Sequence, residues 1–177
     1  LFVKTNVADA ASVEAAVKTV VETLGPPRVA VNCAGIGRAA RTISKSGPHD
    51  LGMFAQVIQV NLIGTFLVTR AALPALREGT APAVVNFSST SAAFAHPYMS
   101  AYSASKGGIL SFTHSLALEY AKQGLRAVNI QPGGVSTPLA NGTFSKMPEG
   151  TDYSLWTKQV PMLNTGNKSN LGDPGAV

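Results

Sequence analysis

Short apolar runs alternate along this chain with stretches whose apolar residues recur every three to four positions, and that alternation restricts the fold more than any other feature. Residues 1–6 read as a short strand. Residues 9–24 read as an amphipathic helix with Val13, Ala16, Val17, Val20, Val21 and Leu24 along one side, stopped by Gly25, Pro26 and Pro27. Residues 28–32 read as a second strand, nearly continuously apolar as a strand covered on both faces would be, with a polar loop after it to about residue 50. From Leu51 onward, Phe54, Ile58, Leu62 and Phe66 repeat at helical spacing, which predicts a long helix kinked near Pro74 and ended by Gly79. Residues 83–88 predict a third strand, residues 101–123 a second long helix, and residues 126–130 a fourth strand. Strand alternating with helix implies α/β architecture: right-handed β-α units, a parallel sheet with helices on both faces, and a ligand crevice beyond the carboxyl ends of the strands. Residues 132–170 are rich in Pro, Gly, Asn, Ser and Thr, and from about 138 to 170 they read as a substrate flap rather than scaffold.

One domain accounts for 177 residues that are 45% apolar and 13% charged. The formal charge of +5 suits a phosphorylated cofactor or an acyl-CoA, but the 14 basic residues stand as scattered singletons, so nucleic-acid binding is not expected. A lone cysteine, Cys33, excludes an internal disulfide, and the separated His49, His96 and His114 leave no metal-ligand spacing; a reducing, cytoplasmic setting fits. No run of about 18 uninterrupted apolar residues exists, so no membrane span is expected. The missing initiator methionine and the helix-opening pair Asp173 and Pro174 so near the last residue read as truncation at both ends.

Tyr102 and Lys106 stand four residues apart in the second long helix, where a phenol and an ammonium share a face. A nearby cation favours a phenolate and would lower the tyrosine pKa, so this pair could exchange a proton with an alcohol. Asn61 lies mid-helix among apolar neighbours, which propensity disfavours; something must use its amide, a buried structural hydrogen bond being one answer. Ser89, taken alone, reads as a loop serine or a cap. Asn32, Ala34 and Gly35 read as a tight turn, and Val135 to Thr137 as an extended segment pinned by Pro138.

Taken in order, Asn32-Cys33-Ala34-Gly35, Val60-Asn61, Ser88-Ser89, Tyr102-Ser103-Ala104-Ser105-Lys106 and Pro132-Gly133-Gly134-Val135-Ser136-Thr137-Pro138 resemble the short-chain dehydrogenase/reductase family across essentially the whole chain. The resemblance implies a three-layer Rossmann-like sheet and hydride transfer between a nicotinamide cofactor and a secondary alcohol or ketone. It implies that Tyr102 is the general acid/base, that Ser89 polarises the carbonyl, that Lys106 lowers the tyrosine pKa and binds ribose hydroxyls, and that Asn61 holds a relay water. Asn6 and Val7 would meet the adenine, Asn32, Ala34 and Gly35 the adenosine ribose, and Pro132, Gly133, Val135 and Thr137 the nicotinamide side. Asn6 stands where the family usually has aspartate. NAD is the expected cofactor, with NADP not excluded, because the discriminating residue lies in a segment this chain does not carry.

That segment is the first β-α-β unit with its Gly-rich phosphate loop, roughly 50 to 60 residues by the size of such units. A final strand is also expected to be missing. The gap falls between residues 1–6 and 28–32, which implies either supply of the segment from elsewhere or direct pairing of residues 2–6 with 29–32. Segments 29–37, 60–66, 159–161 and 171–174 look most like the type II 3-hydroxyacyl-CoA dehydrogenases, although Met99 stands where those enzymes tend to carry glutamine. A dimer or tetramer is expected, a homotetramer by that likeness. The alternative is a catalytically incompetent fragment that serves as a dimerisation or interaction module through its two long helices.

Overall fold

The computed structural model describes residues 1–157, so the expected flap at 138–170 and the pair Asp173 and Pro174 lie partly or wholly outside the described residues. Helix α1 (Ala10–Leu24) opens where Asp9 accepts the Ala11 and Ser12 amides and closes at Gly25, whose φ of 81° admits the turn. Strand β1 (Val29–Asn32) follows. The predicted polar loop contains a two-residue hairpin, β2 (Ile43–Ser44) with β3 (Gly47–Pro48). The long helix is α2 (Leu51–Ile58), a π-helical segment over Gln59–Ile63, and α3 (Gly64–Glu78). Strand β4 (Ala83–Phe87), helix α4 (Ser100–Glu119), strand β5 (Arg126–Ile130), and the short helices α5 (Pro138–Phe144) and α6 (Ser154–Thr157) complete the order.

The three main strands pair in parallel in the order β1–β4–β5. Asn32, Asn86 and Asn129 sit side by side in that register. Side chains alternate across a strand, so these asparagines share a face with Ala30, Val84 and Ala127. That face carries the core: Val84, Leu76 and Leu116 are nearly fully buried with Ala72 and Leu125, flanked by Val17 and Phe112. Helices α1, α3 and α4 therefore cover one side of the sheet. The opposite side, with Val29, Val31 and Val128 each about half exposed, is bare of helices among the described residues, where the sequence predicts cover on both faces.

Two other expectations change. Residues 1–6 form no strand and do not pair with β1; with no neighbour for its backbone groups, a strand gains nothing. Pro74 sits inside α3, and the irregularity of the long helix lies instead at Gln59–Ile63, where the Gly64 amide reaches back to Gln59 O. By length and composition Leu51–Glu78 would suffice to cross a membrane; Gly64, Thr65, Leu67, Thr69, Ala72 and Leu76 are buried against the protein, and 28% of its most apolar window is buried.

Candidate active site

Tyr102 and Lys106 occupy one face of the first turns of α4, as their spacing predicts, and the Lys106 ammonium lies 5.6 Å from the Tyr102 ring centroid. Ser89 begins the loop after β4, accepts the Ser91 amide through its hydroxyl oxygen at 3.1 Å, and hydrogen-bonds Tyr102. The Thr90 amide donates to Pro132 O at 3.1 Å and the Ser88 amide to Ile130 O at 2.9 Å, so the ends of β4 and β5 are tied together beneath the site.

Asn61 is fully buried and its amide is completely engaged. Its Oδ1 accepts the Ile36 amide at 2.8 Å, while Nδ2 donates to Ile36 O at 3.0 Å and to Ser105 Oγ at 3.0 Å. The Ser105 hydroxyl in turn donates to Tyr102 O at 2.7 Å. Asn61 thus clamps the turn after β1 to the helix that carries Tyr102. Gly35 fits this junction because it lacks a side chain: a Cβ there would lie 3.4 Å from Asn61 Oδ1 and 3.8 Å from Lys106 Nζ. Asn61, Ser89, Tyr102, Lys106 and Gly35 are therefore brought together.

Electrostatics at the pair differ from the expectation. Burial raises the Tyr102 pKa above its ordinary value, with the Ser89 bond acting the other way. Burial also pushes Lys106 down to about 8, opposed by neighbouring Cys33. The ammonium donates to Phe87 O at 2.6 Å rather than to the phenol, so the desolvation of the tyrosine prevails over a lowering by the cation. A lysine ammonium has three donors, and this bond uses one.

The expected cofactor residues divide. Ala34 and Gly35 stay at the mouth beyond β1, with Ala34 exposed. The Asn32 side chain turns away from it, donating to Asn86 Oδ1 at 2.8 Å and to Thr69 Oγ1 at 3.1 Å. Asn6 Oδ1 accepts the Ala8 amide and the Asn6 backbone N–H donates to Ser12 Oγ, so the residue shapes the entry to α1. Val7 packs on the start of α3, where a Cβ on Gly64 would come within 2.9 Å of Val7 Cγ2. Pro132, Gly133 and Val135 follow β5, and Thr137 caps α5 by accepting the Ala140 amide at 3.2 Å.

Several supporting residues were not singled out from sequence. The Asn86 amide donates to Thr113 Oγ1 at 2.9 Å, extending a polar ladder from Thr69 through Asn32 across the sheet. Its signal was available: each strand carries a Val-Asn pair, Val31-Asn32, Val85-Asn86 and Val128-Asn129. Ser88 Oγ donates to Lys106 O at 2.6 Å, and the buried Ser91 Oγ has no partner among the described residues. Met99 is buried rather than lining the mouth. Arg41 stacks 4.8 Å over the Tyr98 ring and donates to Gly150 O at 2.6 Å, fastening residues 150–152 beside the site.

A family described as short chain dehydrogenase matches residues 1–148. The chain is 37% identical to 3-hydroxyacyl-CoA dehydrogenase type-2 of Bos taurus over 98% of its own length, and spans 66% of that protein. Its fold matches ligand-free aldohexose dehydrogenase of Thermoplasma acidophilum with a TM-score of 0.77 at 26% identity, covering 96% of this chain and 64% of that one. It also matches gluconate 5-dehydrogenase of Burkholderia cenocepacia, solved with NADP and tartrate, with a TM-score of 0.71 at 27% identity over 77% of this chain and 52% of that one.

Proposed function

The chain belongs to the short-chain dehydrogenase family, and on that premise we propose that it transfers a hydride between a nicotinamide cofactor and a secondary alcohol or ketone. The observation that carries this reading is the hydrogen bond between Ser89 and Tyr102 beside the Lys106 ammonium. Ser89 holds the substrate oxygen where charge develops. Tyr102, kept protonated by burial, gives its phenolic proton to that oxygen as a ketone is reduced; in the alcohol direction the phenol first loses its proton to solvent, and the phenolate then takes the hydroxyl proton as the hydride leaves. Asn61 acts by position, keeping the turn after β1 and the Tyr102 helix in one geometry.

The residues present fit a dinucleotide at the mouth. Lys106 keeps two donors for ribose hydroxyls and Ala34 is exposed beyond β1, while by the family resemblance Gly35 would lie along the adenosine ribose and Val135 and Thr137 on the nicotinamide side. The cofactor, when bound, supplies the hydride acceptor or donor. NAD is the cofactor expected from the sequence, while the solved gluconate 5-dehydrogenase carries NADP. The name of the bovine relative favours a 3-hydroxyacyl-CoA as the substrate.

Titration of NAD and NADP, followed by turnover of a secondary alcohol, tests the reading. Tyr102→Phe is expected to spare cofactor affinity and lower turnover by about 10²- to 10⁴-fold, the scale of a lost general acid/base. Turnover undiminished by that substitution overturns it. A chain that binds neither dinucleotide yet assembles stably supports the interaction module instead.

A further inference from the structure

A cleft of about 150 Å³ opens between the turn after β1 and the short helix α5, and its charge is one-sided. Ile36, Gly37, Pro138 and Leu139 line it, and the exposed side chains of Arg38 and Lys146 flank it. Among the described residues no carboxylate lines the cleft. Among the described residues neither cation has an ion-pair partner, the pairs formed being Lys18 with Glu22 and Arg70 with Glu14. Arg38 Nη1 donates to Gly37 O at 3.1 Å, and among the described residues its other donors have no partner. The backbone amide of Lys146 donates to Thr143 O, and the Thr143 side chain occupies the space a Cβ on Gly37 would need, so α5 closes directly on the turn.

The wall of the cleft is tied to the reacting cluster by hydrogen bonds. Ile36, in its wall, has both backbone groups bonded to Asn61, whose amide also reaches Ser105 on the Tyr102 helix. We propose that this cleft is an oxyanion subsite, in which Arg38 and Lys146 receive a carboxylate, sulfonate or phosphate carried by the substrate whose alcohol or carbonyl Tyr102 and Ser89 handle. The inference rests on the hydride-transfer reading for what the ligand is, and on Arg38, Lys146 and the absence of a lining carboxylate for its charge. A planar guanidinium matches two oxygens of such a group, and an ammonium adds a second, rotatable set of donors. Exposed cations hold an anion only modestly, and salt weakens the hold.

The test titrates the full chain, by calorimetry at low and high salt, with 3-hydroxybutyrate, 3-hydroxybutyryl-CoA and the neutral 1,3-butanediol. The Arg38→Ala, Lys146→Ala double variant is expected to weaken an anionic ligand about tenfold at low salt, as two lost surface ion pairs imply, and the diol less than about twofold. Arg38→Lys should recover part of the loss. A loss with 3-hydroxybutyrate identifies the anion as the substrate's own carboxylate, and a loss confined to the thioester identifies a coenzyme phosphate. Equal affinities in wild type and variant, or a fall in NAD affinity in place of substrate affinity, overturn the subsite. Turnover is measured separately: anion binding that depends on the two cations without hydride transfer to any of the three ligands sinks the dehydrogenase reading and leaves the subsite standing.

Discussion

Lys106 brings an ammonium into a site with 6% of its surface exposed, and its lowered pKa ties stability to pH. Its pKa falls from 10.5 to about 8, so between those values the folded chain binds fewer protons there than the unfolded chain, and stability rises with pH. Below about 8 both states carry the charge and the full burial cost remains. Denaturation midpoints should therefore increase from neutral pH towards pH 10, by a free energy on the order of 1–3 kcal/mol. Lys106→Met should flatten the rise. The raised Tyr102 pKa opposes it only above 10, where the folded chain holds the extra proton; an unchanged slope in the variant would sink the assignment. Asn61 is tested by Asn61→Asp, which keeps an acceptor for the Ile36 amide but removes the donors to Ile36 O and Ser105 Oγ. Two lost buried bonds and a buried carboxylate predict a loss of about 2–5 kcal/mol in urea denaturation. A loss under 1 kcal/mol would mean that the clamp between the turn after β1 and α4 contributes little.

At the scale of elements, two helical glycines give opposite predictions. A Cβ on Gly64 would meet Val7 Cγ2 at 2.9 Å and Val7 O at 3.3 Å, a β-branched side chain and a carbonyl that yield little. Gly64→Ala gains about 1 kcal/mol of helix propensity but incurs overpacking of about 1–3 kcal/mol, so its denaturation midpoint should fall. A Cβ on Gly107 meets nothing within 4 Å, so Gly107→Ala should raise the midpoint by up to about 1 kcal/mol. Both shifts in one direction would refute the packing of Val7 on α3. The same helix shows how far the sequence could be read. Helical periodicity located residues 51–78, and the misfit of an asparagine among apolar neighbours marked Asn61, because both are local properties. The π-helical segment around Asn61 was not legible, since it depends on Ile36 and Ser105, 25 and 44 residues away. Pro74 carries a strong local signal for a kink, yet α3 continues through it. The tyrosine pKa was misjudged for a related reason: spacing shows that Lys106 is near, but not that its ammonium is committed to Phe87 O.

Across the whole molecule, the alternating pattern gave the parallel sheet and the convergence of Gly35, Ser89 and the turn after β5 at one mouth, since strand direction follows from β-α succession. Which face receives the helices did not follow. The near-continuous apolar run of β1 reads as cover on both sides, whereas α1, α3 and α4 all lie on the side of the asparagine ladder. Val29, Val31 and Val128 on the other side are 48%, 55% and 48% exposed, and β1 has β4 as its only partner among the described strands. An apolar face beside an open strand edge favours association with whatever can cover it. The isolated chain should therefore self-associate through this face as concentration rises. A Val31→Lys, Val128→Lys double variant keeps the alternate, helix-facing residues intact and puts a charge at two of the three exposed positions. Its light-scattering mass should shift towards the monomer, with unchanged circular dichroism. If the mass stays as in wild type, association runs through another surface, such as the outer sides of α2 and α4; if the circular dichroism is lost, these valines are structural and the face is not free.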